Sequence, residues 1–363
     1  MTDEWTRADA DVSDDAVREM VRELRPGWTV ERVERAADGT DFVATLDVST
    51  STGDRRVVLK ATTATWVDAE VARAEPRLLE RVGRETTTPV PDVYGYRDAH
   101  DALPAPFYLL EYVPGAALEG EADVLDEPAV RRLLRAAGEN LAALHDLGTL
   151  PGVGTVGVRD GDLAVLDTDD NPRAENGLEK AREDCLAAID SLDDGGFFPG
   201  VTDDRERFAD LQSVLRAHVE RTVPTLPAAD DPRYCHWDYR YGNLLVDVDT
   251  GATNAVLDWA NLSAAEPASN LASAEFNLLD AGDPDDATLA ARRRTFRDAY
   301  AAARDDGFAF TDAVRERMAF YEFGERVGAM ACFGLWHQDA SPSERAAIEA
   351  DHRAFVRERC DDP

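Results

Sequence analysis

The stretch HWDYRYGNLLVDVDTGATNAVLDW, residues 236–259, restricts the local fold more than any other part of this 363-residue chain. Two short apolar runs, LLVDV and NAVLD, flank the turn-forming DTGAT, which is the pattern of a β-hairpin. A symmetric hairpin turning at Thr250 and Gly251 brings the Asn243 amide and the Asp258 carboxylate to one open end. Asp238 lies in the loop that enters the same end. Three oxygen-bearing side chains are thereby expected to converge, although twenty positions separate the first from the last. Carboxylate and amide oxygens suit Mg²⁺, a hard cation that keeps several waters and bridges nucleotide phosphates. A carboxylate left off the metal can orient or deprotonate an attacking hydroxyl. Phosphoryl transfer asks for little beyond such positioning and charge neutralisation.

The rest of the chain divides by periodicity. Residues 13–24 read as a short helix capped by Ser13, with Val17, Met20, Val21 and Leu24 on one face. Strands are expected on either side of the turn at 38–40, where Phe42, Ala44, Leu46 and Val48 alternate, then in RRVVLKAT and in PFYLLEYV (106–113). One helix is expected over 68–82, despite Pro76. From residue 114 the pattern turns helical, with Val130, Leu133, Leu134, Ala137, Leu141 and Leu144 at helical spacing. An irregular stretch (148–177) follows, then helices over 178–192, 203–222, 267–280, 287–304, 312–334 and 341–359. The fold class is α+β, a β-rich front part and a larger α-rich part.

The spacing H-x-D-x-x-x-x-N, followed by an Asp at the end of the next strand, resembles the protein-kinase-like superfamily. LDW (257–259), where protein kinases carry Asp-Phe-Gly, is similar to the aminoglycoside phosphotransferase and choline kinase branch. LAALHDL (141–147) is similar to that family's Leu-x-x-Leu-His segment, and AEPASNLA (265–272) resembles its Gly-Asp-Pro-x-x-Asp-Leu-Ala run. The resemblance extends from about residue 28 to about residue 335. It implies a bilobal fold, with a nucleotide-binding lobe over 1–113 (a five-stranded sheet plus a helix) and a catalytic and acceptor-binding lobe over 114–363.

Carried over position by position, the resemblance makes Asp238 the catalytic base, Asn243 and Asp258 the Mg²⁺ ligands, and His236 a brace for the loop. Lys60, closing the strand RRVVLK, falls where the family places the lysine that touches the α- and β-phosphates of ATP. Only Lys60 and Lys180 are lysines in a chain otherwise supplied with arginine, so a compact ammonium retained at 60 suggests a need for one; Lys180 reads as a surface residue. The implied partner of Lys60 is Glu75, with Glu70 second, although Pro76 beside Glu75 is awkward inside a helix. ADGTDF (37–42), with its single Gly39, falls at the nucleotide lid. The backbone of Glu111, Tyr112 and Val113 falls at the hinge that meets adenine.

Some positions depart from the family. Trp237 stands where Gly is frequent. Arg240 occupies the place of a basic residue that contacts the transferred phosphate in many protein kinases; it either neutralises developing charge or is a solvated loop arginine. Glu266 and Asn270 replace aspartates and are expected to brace the catalytic loop. The acceptor pocket is expected from the C-terminal helices, where Phe320, Phe323, Val327 and Met330 read as packing, and from Trp259. His100 and His337 have no partner pattern and receive no metal role.

The activity implied is ATP-dependent transfer of the γ-phosphate to a hydroxyl of a small molecule. Phosphorylation of protein Ser or Thr is disfavoured because no segment ending in Ala-Pro-Glu follows Asp258. A non-catalytic nucleotide-binding regulator is disfavoured because Lys60, Asp238, Asn243 and Asp258 are all present.

Composition bounds the setting. Asp and Glu number 73 against 39 Lys and Arg, a net charge of −34 spread along the chain, which excludes the basic face that nucleic-acid binding requires. Such dispersed acidity with almost no lysine resembles proteins of salt-loving microbes, where salt screens the self-repulsion. It also hides any preference for charged acceptors. The four cysteines (185, 235, 332 and 360) lack paired or metal-ligand spacing, which suits a reducing compartment. No basic-then-apolar leader opens the chain, and no apolar run approaches the roughly 18 residues of a membrane span. A cytoplasmic protein without membrane partners is expected.

Overall fold

The computed structural model describes residues 12–36, 41–64, 67–260 and 263–360. Helix α1 (Asp14–Leu24) starts where the Ser13 hydroxyl accepts from the Ala16 amide at 3.2 Å, and it buries Val17, Met20 and Val21. Strands β1 (Thr29–Arg35), β2 (Phe42–Thr50) and β3 (Gly53–Ala61) form an antiparallel meander in which alternate residues of β2 face the core. Two helices follow, α2 (Ala69–Ala72) and α3 (Ala74–Glu85), then β4 (Val93–Arg97) and β5 (Phe107–Glu111). The sheet order is β1-β2-β3-β5-β4. Pairing of β3 with both neighbours places Lys60 between Val43 and Tyr108.

The single helix expected over 68–82 is two. The chain breaks at Arg73, and Pro76 becomes the third residue of α3. In the first turn the amide that proline lacks has no intrahelical acceptor, so Pro76 costs no hydrogen bond there.

The larger part opens with α4 (Glu127–His145), capped by Asp126 through the Ala129 amide at 2.9 Å. The stretch 148–177, expected to be irregular, contains a hairpin of β6 (Gly154–Arg159) and β7 (Asp162–Val165). After α5 (Gly177–Ser191), the helix expected from residue 203 begins only at Gln212, as α6 (Gln212–Thr222). Next come β8 (Arg233–Cys235) and the hairpin β9 (Leu244–Asp247) and β10 (Ala252–Val256), then β11 (Ser263–Ala265). β6, β7, β8 and β11 form a second sheet, order β7-β6-β11-β8. Its strands are three to six residues long, too short for an alternating pattern to stand out.

The remaining helices are α7 (Pro267–Leu278), α8 (Asp286–Ala303), α9 (Asp312–Ala331), α10 (Phe333–Trp336) and α11 (Pro342–Cys360). One hydrophobic core joins Leu78 of α3 and Tyr108 of β5 to α4, α7 and α8. A second lies among α5, α6, α9 and α11, where Phe320, Phe323, Val327 and Met330 are buried as packing. Among the described residues no helix is long and apolar enough to cross a membrane.

Candidate active site

The hairpin sets the site. Leu244 pairs with Val256 and Asp247 with Ala252, and the Leu257 amide donates to the Asn243 carbonyl at 2.8 Å. Asn243 and Asp258 therefore leave the hairpin at the same end. Asp258 has φ of 56°, a left-handed conformation that Asp tolerates better than branched residues. That turn of the chain leaves its carboxylate about half exposed, 46 %. Asp238 faces the hairpin from the preceding loop: the Asn243 amide nitrogen donates to the Asp238 carbonyl at 2.9 Å and to its Oδ2 at 2.8 Å.

Lys60 arrives from β3. Its ammonium lies 2.7 Å from Glu75 Oε2 on α3 and 3.7 Å from Asp258 Oδ1. Glu75 is buried and also accepts from the Tyr108 hydroxyl at 2.5 Å. Burial alone lowers the pKa of Lys60, but Glu75, Tyr108 and Asp258 outweigh it and hold the lysine well above its ordinary range. Burial, then Glu75, pushes the Tyr108 phenol up likewise. Glu70, the second expected partner, lies instead on α2 and meets Arg159 at 3.4 Å. Asp41 also faces this ammonium. It accepts from the Thr63 amide at 3.2 Å, and burial raises its pKa while Lys60 opposes the rise.

The loop bearing Asp238 is tied from behind. His236 is buried, its Nε2 donating to the Leu257 carbonyl at 2.9 Å, so its proton sits on Nε2. Burial depresses its pKa, leaving a neutral ring that braces the hairpin. Asn270 receives the His236 amide at 3.1 Å and donates to the His236 carbonyl at 2.7 Å. Behind it His145, from the LAALHDL segment, approaches Asn270 Oδ1 at 3.1 Å and Tyr300 Oη at 2.8 Å. Glu266, expected to brace the same loop, does something else. It accepts from the Asp230 amide at 3.0 Å, from Arg317 at 2.9 Å and from Tyr321 at 2.5 Å. It anchors the chain entering β8 to α9, because α7 begins one residue later and points its acid away from the base.

Arg240 is not a freely solvated loop arginine. Its Nε donates to Asp238 Oδ1 at 2.9 Å and its Nη1 meets Glu119 Oε2 at 2.6 Å. The Gly242 amide donates to the same Glu119 oxygen at 3.0 Å. Sequence reasoning missed Glu119, Asp41 and Tyr108. None had a local signal: Tyr108 comes beside Lys60 only through the β3–β5 pairing.

Other expectations fare differently. Trp259, expected at the acceptor pocket, is 2 % exposed; it donates to the Val256 carbonyl at 2.9 Å and packs edge-on against His236 at 4.7 Å. It is core, because the hairpin end turns it inward. Gly39 lies outside the described residues. At the hinge the Glu111 amide is spent on the Asp92 carbonyl at 2.8 Å, whereas the Val113 amide donates to no group among the described residues. Glu111 therefore has no free donor for a base, and Val113 has one.

The donor set suits a divalent cation shared with a phosphate. Asn243 uses its amide nitrogen on Asp238, and its Oδ1 accepts no hydrogen bond among the described residues. With Asp258 that makes two hard oxygen donors. No group of three or more His, Cys, Asp or Glu side chains is arranged to hold a metal among the described residues, so the remaining positions would fall to waters and phosphate oxygens.

The sequence model of a family described as "Phosphotransferase enzyme family" matches residues 21–321. No curated protein matches the chain. Among solved structures, amicoumacin kinase hAmiN, in complex with AMP-PNP, Ca²⁺ and Ami, superposes with a TM-score of 0.57 at 14 % identity, covering 96 % of this chain and 94 % of that one. A glucosamine kinase gives 0.55 at 16 % identity, covering 96 % and 87 %. A candidate aminoglycoside phosphotransferase from Ralstonia eutropha JMP134 gives 0.54 at 17 %, covering 95 % and 96 %. At these identities the likeness is one of fold.

Proposed function

Given that the chain belongs to the phosphotransferase enzyme family, we propose that it transfers the γ-phosphate of ATP to a hydroxyl of a small molecule, with Mg²⁺ as the metal. One observation carries this reading. The Lys60–Glu75 pair reaches Asp258 at the same hairpin end where Asn243 holds Asp238. Nucleotide-binding and acceptor-activating groups thus share one locus, between the five-stranded sheet and the helical part, with the lobe boundary taken at residues 113 and 114.

In this reading the Val113 amide donates to the adenine, and Lys60, aligned by Glu75, neutralises the phosphates. Asn243 Oδ1 and Asp258 hold Mg²⁺, which when bound screens phosphate charge. Asp238 accepts the acceptor hydroxyl's proton as its oxygen bonds to the γ-phosphorus. The bond from that phosphorus to the β,γ-bridging oxygen breaks, and ADP leaves. Arg240, already on Asp238, stands ready to take up charge on the transferred group as a charge-assisted donor. The stretch between Asp258 and α7 is short and holds the strand β11, which leaves little chain for docking a protein substrate. The test is Mg²⁺-dependent ADP release over a panel of small alcohols. Activity that persists in Asp238→Asn would refute the assignment of the base.

A further inference from the structure

A cavity of about 890 Å³ opens beside the base loop. Its walls come from distant parts of the chain: Val67 and Val71 at α2, Val153 before β6, Pro172, the α5 residues Lys180 and Asp184, and the strand β11. The two parts of the molecule are stitched across it. Asp68, which caps α2, accepts from the side-chain amide of Asn171 at 3.2 Å, and Glu70 meets Arg159 at 3.4 Å. The cavity is a product of the tertiary fold, and its volume is that of a site for a drug-sized ligand.

Trp237 is the link to the chemistry. It lines this cavity and immediately precedes Asp238, yet 55 % of it is exposed. The Ser273 hydroxyl donates to its carbonyl at 2.9 Å, which holds the backbone while the indole stays uncovered. An uncovered indole beside a base leaves a large apolar face in water that a ligand can cover. Lys180, expected to be a surface lysine, is in this wall and ion-paired with Asp184. The cavity therefore offers one flat aromatic face and, elsewhere in its wall, hydrogen-bonding groups at Lys180, Asp184 and Asn171.

Resting on the phosphotransfer reading above, we propose that this cavity is the acceptor subsite and that Trp237 selects a polyhydroxylated ring, stacked on the indole with its hydroxyl toward Asp238. Short acyclic alcohols would leave most of the volume and the whole indole face unfilled.

The test labels the protein with 5-fluorotryptophan. Six tryptophans are present, and Trp237→Phe identifies the resonance of interest. Glucosamine and streptomycin serve as ring probes, and ethanolamine supplies an amine and a hydroxyl without a ring. A saturable shift of the Trp237 resonance with the ring compounds, and none with ethanolamine, is expected. No shift with either ring compound, or an equal shift with ethanolamine, overturns the proposal. The same shift must survive in Asp238→Asn, because binding there does not need the base. Ring compounds that shift Trp237 but release no ADP in the unaltered enzyme would leave a ring-binding cavity and overturn its assignment as the acceptor subsite. ADP release from ring compounds without a shift would uphold the phosphotransfer reading and overturn the subsite. For a turned-over ring acceptor, Trp237→Ala should raise KM at least tenfold while Trp237→Phe largely preserves it.

Discussion

Both carboxylate oxygens of Asp238 are engaged, Oδ1 by Arg240 and Oδ2 by Asn243, so a hydroxyl entering the site meets a base whose orientation is already determined. Replacing it with Asn should lower turnover by about 10²- to 10⁴-fold, the usual worth of a positioned general base, with nucleotide affinity retained; single-turnover ADP release and nucleotide titration measure the two separately. Arg240 in turn depends on Glu119. A Cβ on Gly242 would lie 2.6 Å from both Arg240 Nη1 and Glu119 Oε2, so the clamp fills the space that the missing side chain leaves. These are the far ends of flexible side chains, and Gly242→Ala should open the clamp without unfolding the loop. Glu119→Gln and Gly242→Ala should both cut kcat several-fold, with thermal stability changed by less than about 1 kcal/mol; unchanged kcat in both would remove Arg240 from the mechanism. At Lys60 the balance differs. Lys60→Met strands the buried Glu75 beside Asp258 and Asp41, so a loss of about 3 kcal/mol in urea unfolding should accompany a rise of at least tenfold in KM for ATP.

At the scale of elements, the site rests on the β9–β10 hairpin and on the helices against which it packs. Gly251 has φ of 70°, and a Cβ there would lie 2.3 Å from the Ala129 carbonyl oxygen of α4. Gly251→Ala cannot be accommodated by a rotamer change, since the opposing atom is backbone. It should cost about 2 kcal/mol and also reduce Mg²⁺-dependent turnover, because the hairpin carries Asn243 and Asp258. Gly138 is the control. It lets α4 approach α8 so closely that a Cβ would sit 2.5 Å from the Phe296 carbonyl. Gly138→Ala should destabilise similarly in urea unfolding, yet leave kcat of the folded fraction nearly unchanged. Both hairpin strands were legible in sequence because alternation and turn residues agreed. The break at Arg73 was not, since nothing local distinguishes one helix of fifteen residues from two shorter ones; packing of α3 under the sheet decided it. Glu119 was equally illegible, one of several acids in a connector, and it meets Arg240 only through the tertiary fold.

The whole molecule carries a charge of −34, and we propose that its stability is tuned to high salt. Its thermal midpoint should rise steeply as KCl goes from low to molar concentration, through screening of self-repulsion; a flat dependence would reject that reading. Acid acts through buried histidine. Burial lowers the pKa of His145 from 6.5 to about 3, so between those values the unfolded chain binds a proton that the folded one refuses. This contribution to stability is complete above about pH 6.5 and is lost as pH falls toward 3. The slope of unfolding free energy against pH over that range should be shallower in His145→Gln. By itself the sequence determined the α+β class and the hairpin, because hydrophobic periodicity and turn residues act over short stretches of chain; the family resemblance pointed to Lys60, Glu75, Asp238, Asn243 and Asp258, which the fold brings together. The tertiary structure alone decided that Trp259 is core while Trp237 is uncovered, that Glu266 holds α9 instead of the base loop, and that Lys180 lines a cavity. Those outcomes depend on which residues from distant segments come into contact, and spacing along one chain does not encode that.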